Sequence, residues 1–233
     1  MSKHGSIYAL AIVAHPDDES FLLAGTSLKF ADEGKYVGVI CATHGEKGAD
    51  RLNRDLTEEQ MSKIRSDELL RACSLLKCGC LGFFDYPDGG LDQIDFQELT
   101  DKLKNSIEEL QPEIILTFGE EGISGHKDHI VIGRAAMAAA KKSAHKVREI
   151  WRASVPASAI DEFNEHLAGR KVHLSHFHEQ KLQGVPDEKL LMIDISKYAE
   201  QKHEALKAHQ SQYLPHFVLG IFLKHECFEV VTL

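Results

Sequence analysis

Two short stretches of the sequence concentrate side chains that bind metals and transfer protons. His15-Pro16-Asp17-Asp18-Glu19 follows the apolar run at 7–13, and His126-Lys127-Asp128-His129 comes after the mostly apolar run at 113–118. Imidazole nitrogens and carboxylate oxygens together form a ligand set that suits Zn²⁺ or a similar divalent ion. If the fold brings the two stretches together, they predict a metal site.

Three residues of these stretches would complete a catalytic type of zinc site. His15 and Asp18 are three positions apart, so one turn can direct both toward a single point, and His129 supplies a second nitrogen. Three protein ligands with a fourth position open to water are typical of catalytic zinc. Such an ion lowers the pKa of its bound water to about 7, which predicts hydrolysis with that water as nucleophile. Fe²⁺ can occupy the same ligands, so Zn²⁺ is predicted with Fe²⁺ as the alternative.

The other polar residues of the two stretches can take roles that suit this hydrolysis. Asp17 is adjacent to a ligand without being one, so we predict that it is the general base. His126 can stabilise the developing oxyanion or protonate the leaving amine, and Asp128 can instead orient a histidine. The simpler alternative is that the acidic residues only complement the positive end of a following helix. That alternative would have to hold independently at both stretches.

The surrounding elements predict an α/β fold that would position these residues. Apolar runs alternate with amphipathic segments, which indicates a Rossmann-like, doubly wound, mostly parallel sheet with helices on both faces. Strands one and four then end at the same edge, where ligands bind in such sheets. The predicted strands are 7–13, 36–42, 81–84, 113–118, 148–153, 190–193 and a terminal pair at 217–223 and 228–230. The predicted helices are 21–33, 57–76, one capped by Asp95 that ends before Pro112, 130–140, 157–167 and 195–210.

Length, charge and cysteine content exclude several classes of protein. The 233 residues predict a single domain spanning 1–233. A net charge of -9, from 27 Lys and Arg against 36 Asp and Glu, argues against a nucleic-acid or anionic-membrane partner. No run approaches the ~18 apolar residues of a membrane helix. The five cysteines lack paired C-x-x-C spacing, so we expect a reduced, cytoplasmic protein, with homo-oligomerisation left open.

Two further groups of polar residues have ordinary explanations. His173, His176 and His178 could hold a second metal, but among 14 histidines a chance cluster is the better explanation. Arg65 and Glu68 lie three apart near the start of a predicted helix, and by default we expect a surface ion pair of little energetic value.

The motifs in combination resemble the N-acetylglucosaminyl-phosphatidylinositol de-N-acetylase family, also called LmbE-like. The resemblance is carried by Ala14-His15-Pro16-Asp17-Asp18-Glu19 followed by Gly125-His126-Lys127-Asp128-His129, and it spans nearly the whole chain. The supporting segments are Thr43-x-Gly45-Glu46-x-Gly48, Arg65-x-x-Glu68, Tyr86-Pro87-Asp88-Gly89 and Ala208-His209-Gln210-Ser211-Gln212.

This resemblance implies a Rossmann-like fold and zinc-dependent removal of acetyl groups from N-acetylated amino sugars. By motif position it implies that His15, Asp18 and His129 are zinc ligands, that Asp17 is the base and that His126 is the electrostatic or acid partner. It also implies a role for Arg65 in substrate binding. The further candidates for contact with the substrate are Glu46, Asp88 and Asp128. The segment 155–187 matches no motif of the family.

The predicted function is zinc-dependent hydrolysis of the N-acetyl group of an N-acetylglucosamine-type sugar or conjugate, a small molecule, releasing acetate and a free amine. A metal-dependent phosphoesterase would need a phosphate cradle, for which the sequence offers few cations beyond Lys47, Arg51 and Lys127. A non-catalytic nucleotide-binding module would need Gly-x-Gly-x-x-Gly at the first turn. The absence of Gly-x-Ser-x-Gly disfavours a serine hydrolase. Sugar conjugates, cysteinyl-thiol precursors and antibiotic intermediates all remain open as substrates.

Overall fold

The computed structural model describes residues 6–168, 182–213 and 220–233. The strands are β1 Ile7–Val13, β2 Tyr36–Thr43, β3 Gly79–Tyr86, β4 Ile114–Phe118, β5 Glu149–Ala153, β6 Leu190–Asp194 and β7 His225–Thr232. The helices are α1 Asp18–Leu22, α2 Ala24–Asp32, α3 Glu58–Leu75, α4 Phe96–Leu110, α5 Gly122–Gly125, α6 Lys127–Lys142, α7 Ile160–Ala168, α8 Ala199–Ala208 and α9 Gly220–Lys224. The predicted cluster of His173, His176 and His178 lies outside the described residues.

The strands form one mixed sheet in the order β3-β2-β1-β4-β5-β7-β6. The first five are parallel, and β7 runs antiparallel to both β5 and β6. Helices flank the sheet in two groups, with α4 packed against α6 and with α2 and α3 packed against α8. The predicted mostly parallel α/β fold is therefore confirmed.

The position of β1 explains why the two chemical stretches meet. Residues 9–13 are at most 1% exposed, as expected for a central strand that is covered on both faces. β1 lies directly between β2 and β4, with Ala9 opposite Ile114 and Ala11 opposite Leu116. Because β1 and β4 are parallel neighbours, the loops that follow them lie side by side at the carboxyl edge of the sheet.

The two predicted helix caps are present at α3 and α4. The Thr57 hydroxyl accepts the N–H of Gln60, and the Gln60 side chain accepts the N–H of Thr57, which completes a capping box before α3. The Asp95 carboxylate accepts N–H groups in the first turn of α4.

One predicted helix is divided in two. The segment predicted as 21–33 begins earlier, at Asp18, and is interrupted at Leu23, whose φ of -129° is not helical. The second helix starts where the carboxylate of Glu226, far along the chain, accepts the N–H groups of Gly25 and Thr26. A carboxylate at this position satisfies N–H groups that a helix start leaves without partners, so a distant residue sets the boundary.

The predicted terminal strand pair is wrong at its first member. Within the described residues, Gly220–Lys224 form the short helix α9, whereas β7 is a strand as predicted and extends over His225–Thr232. A short apolar run does not distinguish strand from helix by periodicity alone. Packing decides here, because the ring of Phe222 contacts the rings of Phe21 and Phe163.

The apolar core, the cysteines and the helices bear on the composition of the chain. The buried apolar residues form one continuous cluster that includes both sides of β1 and β4. All five cysteines lie in the described ranges and carry free thiols. Among the helices of the described ranges, none has the length and apolar character needed to cross a membrane.

Candidate metal centre

Three of the sequence-predicted residues converge at the carboxyl edge of the sheet. His15 lies two residues after the end of β1, Asp18 opens α1, and His129 lies in the first turn of α6. His15 Nδ1 lies 3.1 Å from His129 Nε2, and His129 Nε2 lies 3.2 Å from Asp18 Oδ1. The third separation, from His15 Nδ1 to Asp18 Oδ2, is 3.7 Å. Two nitrogens and one carboxylate thus face a single point.

The other ring nitrogens of the two histidines show which atoms carry protons. His129 Nδ1 lies 2.9 Å from the Gly122 carbonyl, which only accepts, so this nitrogen bears the hydrogen. His15 Nε2 lies 3.1 Å from Asp88 Oδ1 and 3.2 Å from Asp128 Oδ2, so it donates toward these carboxylates. When both rings are neutral, as metal ligation requires, these two hydrogens leave one lone pair on each ring facing the Asp18 carboxylate. Such a set of three acceptors fits a cation.

The charged groups around this point shift the pKa values of one another. Burial lowers the pKa of His15, but Asp128, Asp88 and Asp18 outweigh burial and raise it to about 10. Burial acts to raise the pKa of Asp18, yet His129 and His15 hold it well below its usual range. The carboxylate is therefore ionised, as a metal ligand must be.

Asp88 and Asp128 form a second group around His15, on its Nε2 side. Asp128 is fully buried, and its oxygens accept the N–H groups of Gly89 and Leu91. Asp88 is 7% exposed and accepts the N–H of Lys47. Backbone N–H groups thus hold both carboxylates in place, and each carboxylate directs an oxygen at His15 Nε2.

Glu46, another predicted substrate contact, lies in the same network. Its Oε1 accepts the N–H of Asp88 at 2.7 Å. This bond, together with the one from Lys47 N–H to Asp88 Oδ2, fixes the Pro-Asp-Gly turn that carries Asp88. Glu46 is therefore connected to His15 through Asp88.

Asp17 has an unusual backbone conformation next to Asp18, one of the predicted ligands. Its φ of 119° lies in the left-handed region, which residues other than glycine rarely adopt, and such strain concentrates at functional sites. The side chain is 34% exposed and lies 3.2 Å from Arg65 Nη2. Burial raises the pKa of Asp17 to about 6, while Arg65 acts in the opposite direction.

Arg65 and Glu68 do not lie on the surface, so the expected surface ion pair is wrong. They are only 4% and 1% exposed, and within the described residues each has separate partners. The Arg65 guanidinium donates to the carbonyls of Gly45 and Pro16 as well as contacting Asp17. α3 places one face against the site, and this face carries both residues. Arg65 thereby contacts the backbone and the side chain of the loop that carries Asp17.

His126 lies beside both of the histidines predicted as ligands. Its ring centroid is 4.8 Å from that of His15 and 4.9 Å from that of His129. It caps α6, because its Nδ1 accepts the N–H of Asp128, so the neutral ring carries its hydrogen on Nε2. Burial, His129 and His15 lower the pKa of His126 to about 3, which keeps the ring neutral.

The structure also adds residues to the site that no role had been predicted for. Phe118 stacks on the His129 ring, with centroids 4.1 Å apart and planes 12° from parallel. Glu19 and His209 are each 1% exposed and form a 2.7 Å ion pair beneath Asp17. Both belong to the motifs singled out above, but residues 190 positions apart give no sign in the sequence that they are partners.

The fold and the site define a class, an α/β enzyme with histidine and aspartate side chains gathered at the carboxyl edge of a parallel sheet. The family model described as GlcNAc-PI de-N-acetylase (PIG-L) matches residues 10–140, more than half of the 233 residues. The chain belongs to this family, as its motifs predicted. It is therefore a member of a family of N-deacetylases, which confirms the predicted class of enzyme.

Named relatives share most of this chain. 1D-myo-inositol 2-acetamido-2-deoxy-α-D-glucopyranoside deacetylase 1 of Saccharopolyspora erythraea is 30% identical over 236 residues, covering 87% of this chain and 77% of the relative. Probable N-acetyl-α-D-glucosaminyl L-malate deacetylase 2 of Bacillus anthracis is 30% identical over 207 residues, covering 88% of this chain and 81% of the relative.

A solved structure, N,N'-diacetylchitobiose deacetylase from Pyrococcus horikoshii, shares the fold. Its TM-score is 0.69 at 19% sequence identity, and the alignment covers 98% of this chain and 85% of that chain. At this identity the likeness establishes the fold alone. Roles in a reaction must be argued from the residues of the site.

Proposed function

We propose that this protein is a zinc-dependent hydrolase that removes the acetyl group from an N-acetylglucosamine-type sugar or conjugate. Water is consumed, the amide C–N bond breaks, and acetate and a free amine are released. One observation carries the proposal: ring nitrogens of His15 and His129 converge with the Asp18 carboxylate within 3.1–3.7 Å, next to the strained Asp17.

His15, Asp18 and His129 would hold the ion. A divalent metal at such a site lowers the pKa of a water molecule and polarises a carbonyl. Two imidazoles and one carboxylate suit Zn²⁺, and Fe²⁺ is the alternative occupant. Asp88 and Asp128 act on the ligand set by holding His15 through its Nε2 hydrogen, an arrangement that raises the basicity of the coordinating nitrogen.

Asp17 would act as the general base and take a proton from the attacking water. Its carboxylate is next to Asp18, and Arg65 holds it in place from the buried side. The exposed part of its side chain gives it access to solvent and substrate. A base must reach the proton that it removes, and the strained backbone keeps this carboxylate at the site.

His126 would stabilise the oxyanion that forms when water adds to the acetyl carbonyl. Its Nδ1 is occupied by the N–H of Asp128, so Nε2 is the donor. A neutral donor that is fixed before the reaction stabilises developing charge without reorganisation. Transfer of a proton to the leaving amine would then be a second role of the same nitrogen.

The relatives support the sugar as the recognised group. The names of the two bacterial relatives share an N-acetylated glucosaminyl unit and differ in what is attached to it, inositol in one and malate in the other. We infer that the N-acetylglucosamine unit is the shared determinant and that the attached group varies. Of the cations considered for a phosphate cradle, Lys127 is already paired with Asp92 at 3.0 Å, so the phosphoesterase alternative gains no support.

We further propose that the chain acts as a single domain in the cytoplasm. The continuous apolar core supports one domain over 1–233, and the five free thiols suit a reducing compartment. Its partner in the reaction would be the small-molecule substrate.

The test measures acetate release from a panel of N-acetylglucosamine conjugates that differ in the attached group. We expect release to stop after exhaustive chelation and to return when Zn²⁺ is added, with Fe²⁺ assayed in parallel without oxygen. Undiminished release by metal-free protein would refute the metal mechanism. Release of phosphate from phosphorylated sugars, without acetate from any conjugate, would favour the phosphoesterase instead.

A further inference from the structure

A network of buried polar side chains connects the end of α8 to the backbone of Asp17. Glu19 Oε2 accepts the N–H of Asp17 at 3.0 Å. The other oxygen of Glu19 lies 2.7 Å from His209 Nε2 and also accepts the hydroxyl of Ser20. Glu19 and His209 are each 1% exposed, so both polar groups depend on these contacts for satisfaction.

The bond from Asp17 N–H to Glu19 acts where the backbone is strained. Asp17 has a φ of 119°, and its carbonyl accepts the N–H groups of Ser20 and Phe21 that begin α1. A residue other than glycine keeps such a conformation only if its surroundings impose it. Glu19 holds the main chain of Asp17, and Arg65 holds its side chain.

The position of His209 is itself fixed by neighbouring contacts. His209 ends α8, and two residues later both the N–H and the hydroxyl of Ser211 donate to Glu68 on α3, at 2.8 and 2.6 Å. The His209 Nδ1 atom is buried and has no hydrogen-bond partner among the residues that the structure describes. Within those residues, the contact with Glu19 is the hydrogen bond that retains this ring.

We propose that Glu19 and His209 are positioning residues for the base. His209 holds the Glu19 carboxylate, and Glu19 holds the N–H of Asp17, so that the Asp17 carboxylate stays directed toward the site. The inference rests on the proposed role of Asp17. If the pair only fastened α8 to α1, its removal would lower stability and leave the kcat of the folded protein unchanged.

The first experiment compares kinetics of Glu19→Ala and Glu19→Gln with those of a control, Glu226→Gln. Glu226 is an equally buried carboxylate paired with α8, and its described partners are Gly25, Thr26 and Lys202. The probes are N-acetylglucosamine and N,N'-diacetylchitobiose. We expect Glu19→Ala to lower kcat by about 100-fold, because misplacement by about 1 Å has effects of this size, with KM and zinc content unchanged.

The conservative variants separate positioning from simple loss of stability. Gln at position 19 keeps an oxygen that can accept the N–H of Asp17, so Glu19→Gln is expected to recover most of kcat. Likewise, His209→Gln keeps a donor for Glu19 and should exceed His209→Ala in kcat. If Glu19→Ala does not fold, the two His209 variants and Glu19→Gln supply the same comparison.

A second readout does not depend on activity. The hydrogen exchange of the Asp17 amide, followed by NMR, should be slow in the wild type and in Glu226→Gln and fast in Glu19→Ala. The inference is overturned if folded Glu19→Ala keeps both slow exchange and normal kcat, or if Glu226→Gln loses as much kcat as Glu19→Ala. If the wild type releases no acetate from either probe, the proposed function fails, while the exchange data still decide whether Glu19 holds Asp17.

Discussion

Two buried carboxylates of this protein, Glu19 and Glu226, have similar burial and similar partners but contact different parts of the backbone. Glu19 and Glu226 are 1% and 2% exposed, and each lies 2.7 Å from a nitrogen supplied by α8 or its end, His209 for the first and Lys202 for the second. Each also accepts backbone N–H groups. Burial and pairing alone therefore do not distinguish a structural carboxylate from a functional one.

The difference lies in which backbone each carboxylate holds. Glu226 accepts the N–H groups of Gly25 and Thr26 at the start of α2, where any helix needs a cap. Glu19 accepts the N–H of Asp17, which has a positive φ and follows the metal-ligand candidate His15 by two positions. The first contact stabilises a helix boundary. The second contact holds a backbone conformation that residues other than glycine rarely adopt.

The largest effect that tests this contrast is expected from Asp17→Asn. The amide keeps the size of the side chain but does not take up a proton, so kcat should fall by about 10²- to 10⁴-fold. Metal content, measured by elemental analysis, should be unchanged. By comparison, Glu226→Gln should retain kcat per folded molecule, and a matching loss in that variant would remove the distinction between the two regions.

The second prediction concerns stability. Here the larger loss is expected from replacing Glu226 and the smaller one from replacing Glu19, the reverse of the expected effects on kcat. Glu226→Ala leaves Lys202 fully buried without its partner, although burial already lowers the pKa of this lysine, and we expect a loss of about 3–5 kcal/mol in the free energy of unfolding. Glu19→Ala should lose less, because a histidine discards its proton more readily than a lysine. Urea unfolding at neutral pH measures both. A greater loss in Glu19→Ala would contradict the assignment of Glu226 as the structural carboxylate.

A double-mutant cycle is the third test. Adding Glu19→Ala to Asp17→Asn should change kcat little, since a positioning residue has no effect once the base is absent, although Glu19→Ala alone lowers kcat by about 100-fold. Adding Glu226→Gln to Asp17→Asn should give simple additivity. Steady-state kinetics of the wild type, the three single variants and the two double variants test this prediction. If the effects of Glu19→Ala and Asp17→Asn on kcat were additive, that result would count against the positioning role.

The smallest expected effect is a change in the affinity for Zn²⁺, and it distinguishes a third buried carboxylate, that of Asp128, from the carboxylate of Glu19. Asp128→Asn weakens the acceptor for the His15 Nε2 hydrogen, so the affinity for Zn²⁺ should fall by about 10- to 100-fold. Glu19→Gln should leave metal affinity unchanged, because Glu19 contacts the backbone of the proposed base Asp17 and none of the proposed ligands. Competition with a chromogenic chelator measures both, and a shared loss of affinity would show that the two networks are not separate.

Much of the fold was predictable because its signals are local. The apolar run of β1 is continuous since both faces of a central parallel strand are covered, and the caps of α3 and α4 depend on residues within three positions. The division between α1 and α2 was not predictable, because the carboxylate that begins α2 lies about two hundred residues away. Nor was helix α9, since aromatic packing of Phe222 decided its conformation.

For the site, local patterns were enough to predict the residue types and the edge of the sheet at which they meet: His15 and Asp18 follow one strand, and His126 and His129 follow its parallel neighbour. The partners of these residues became known from the packed fold. Asp88 and Asp128 meet at one nitrogen of His15, Arg65 turns inward to Asp17, and Glu19 pairs with His209. The physical reason is that short-range patterns fix backbone conformation, whereas the pairing of buried charges depends on which elements pack together in space.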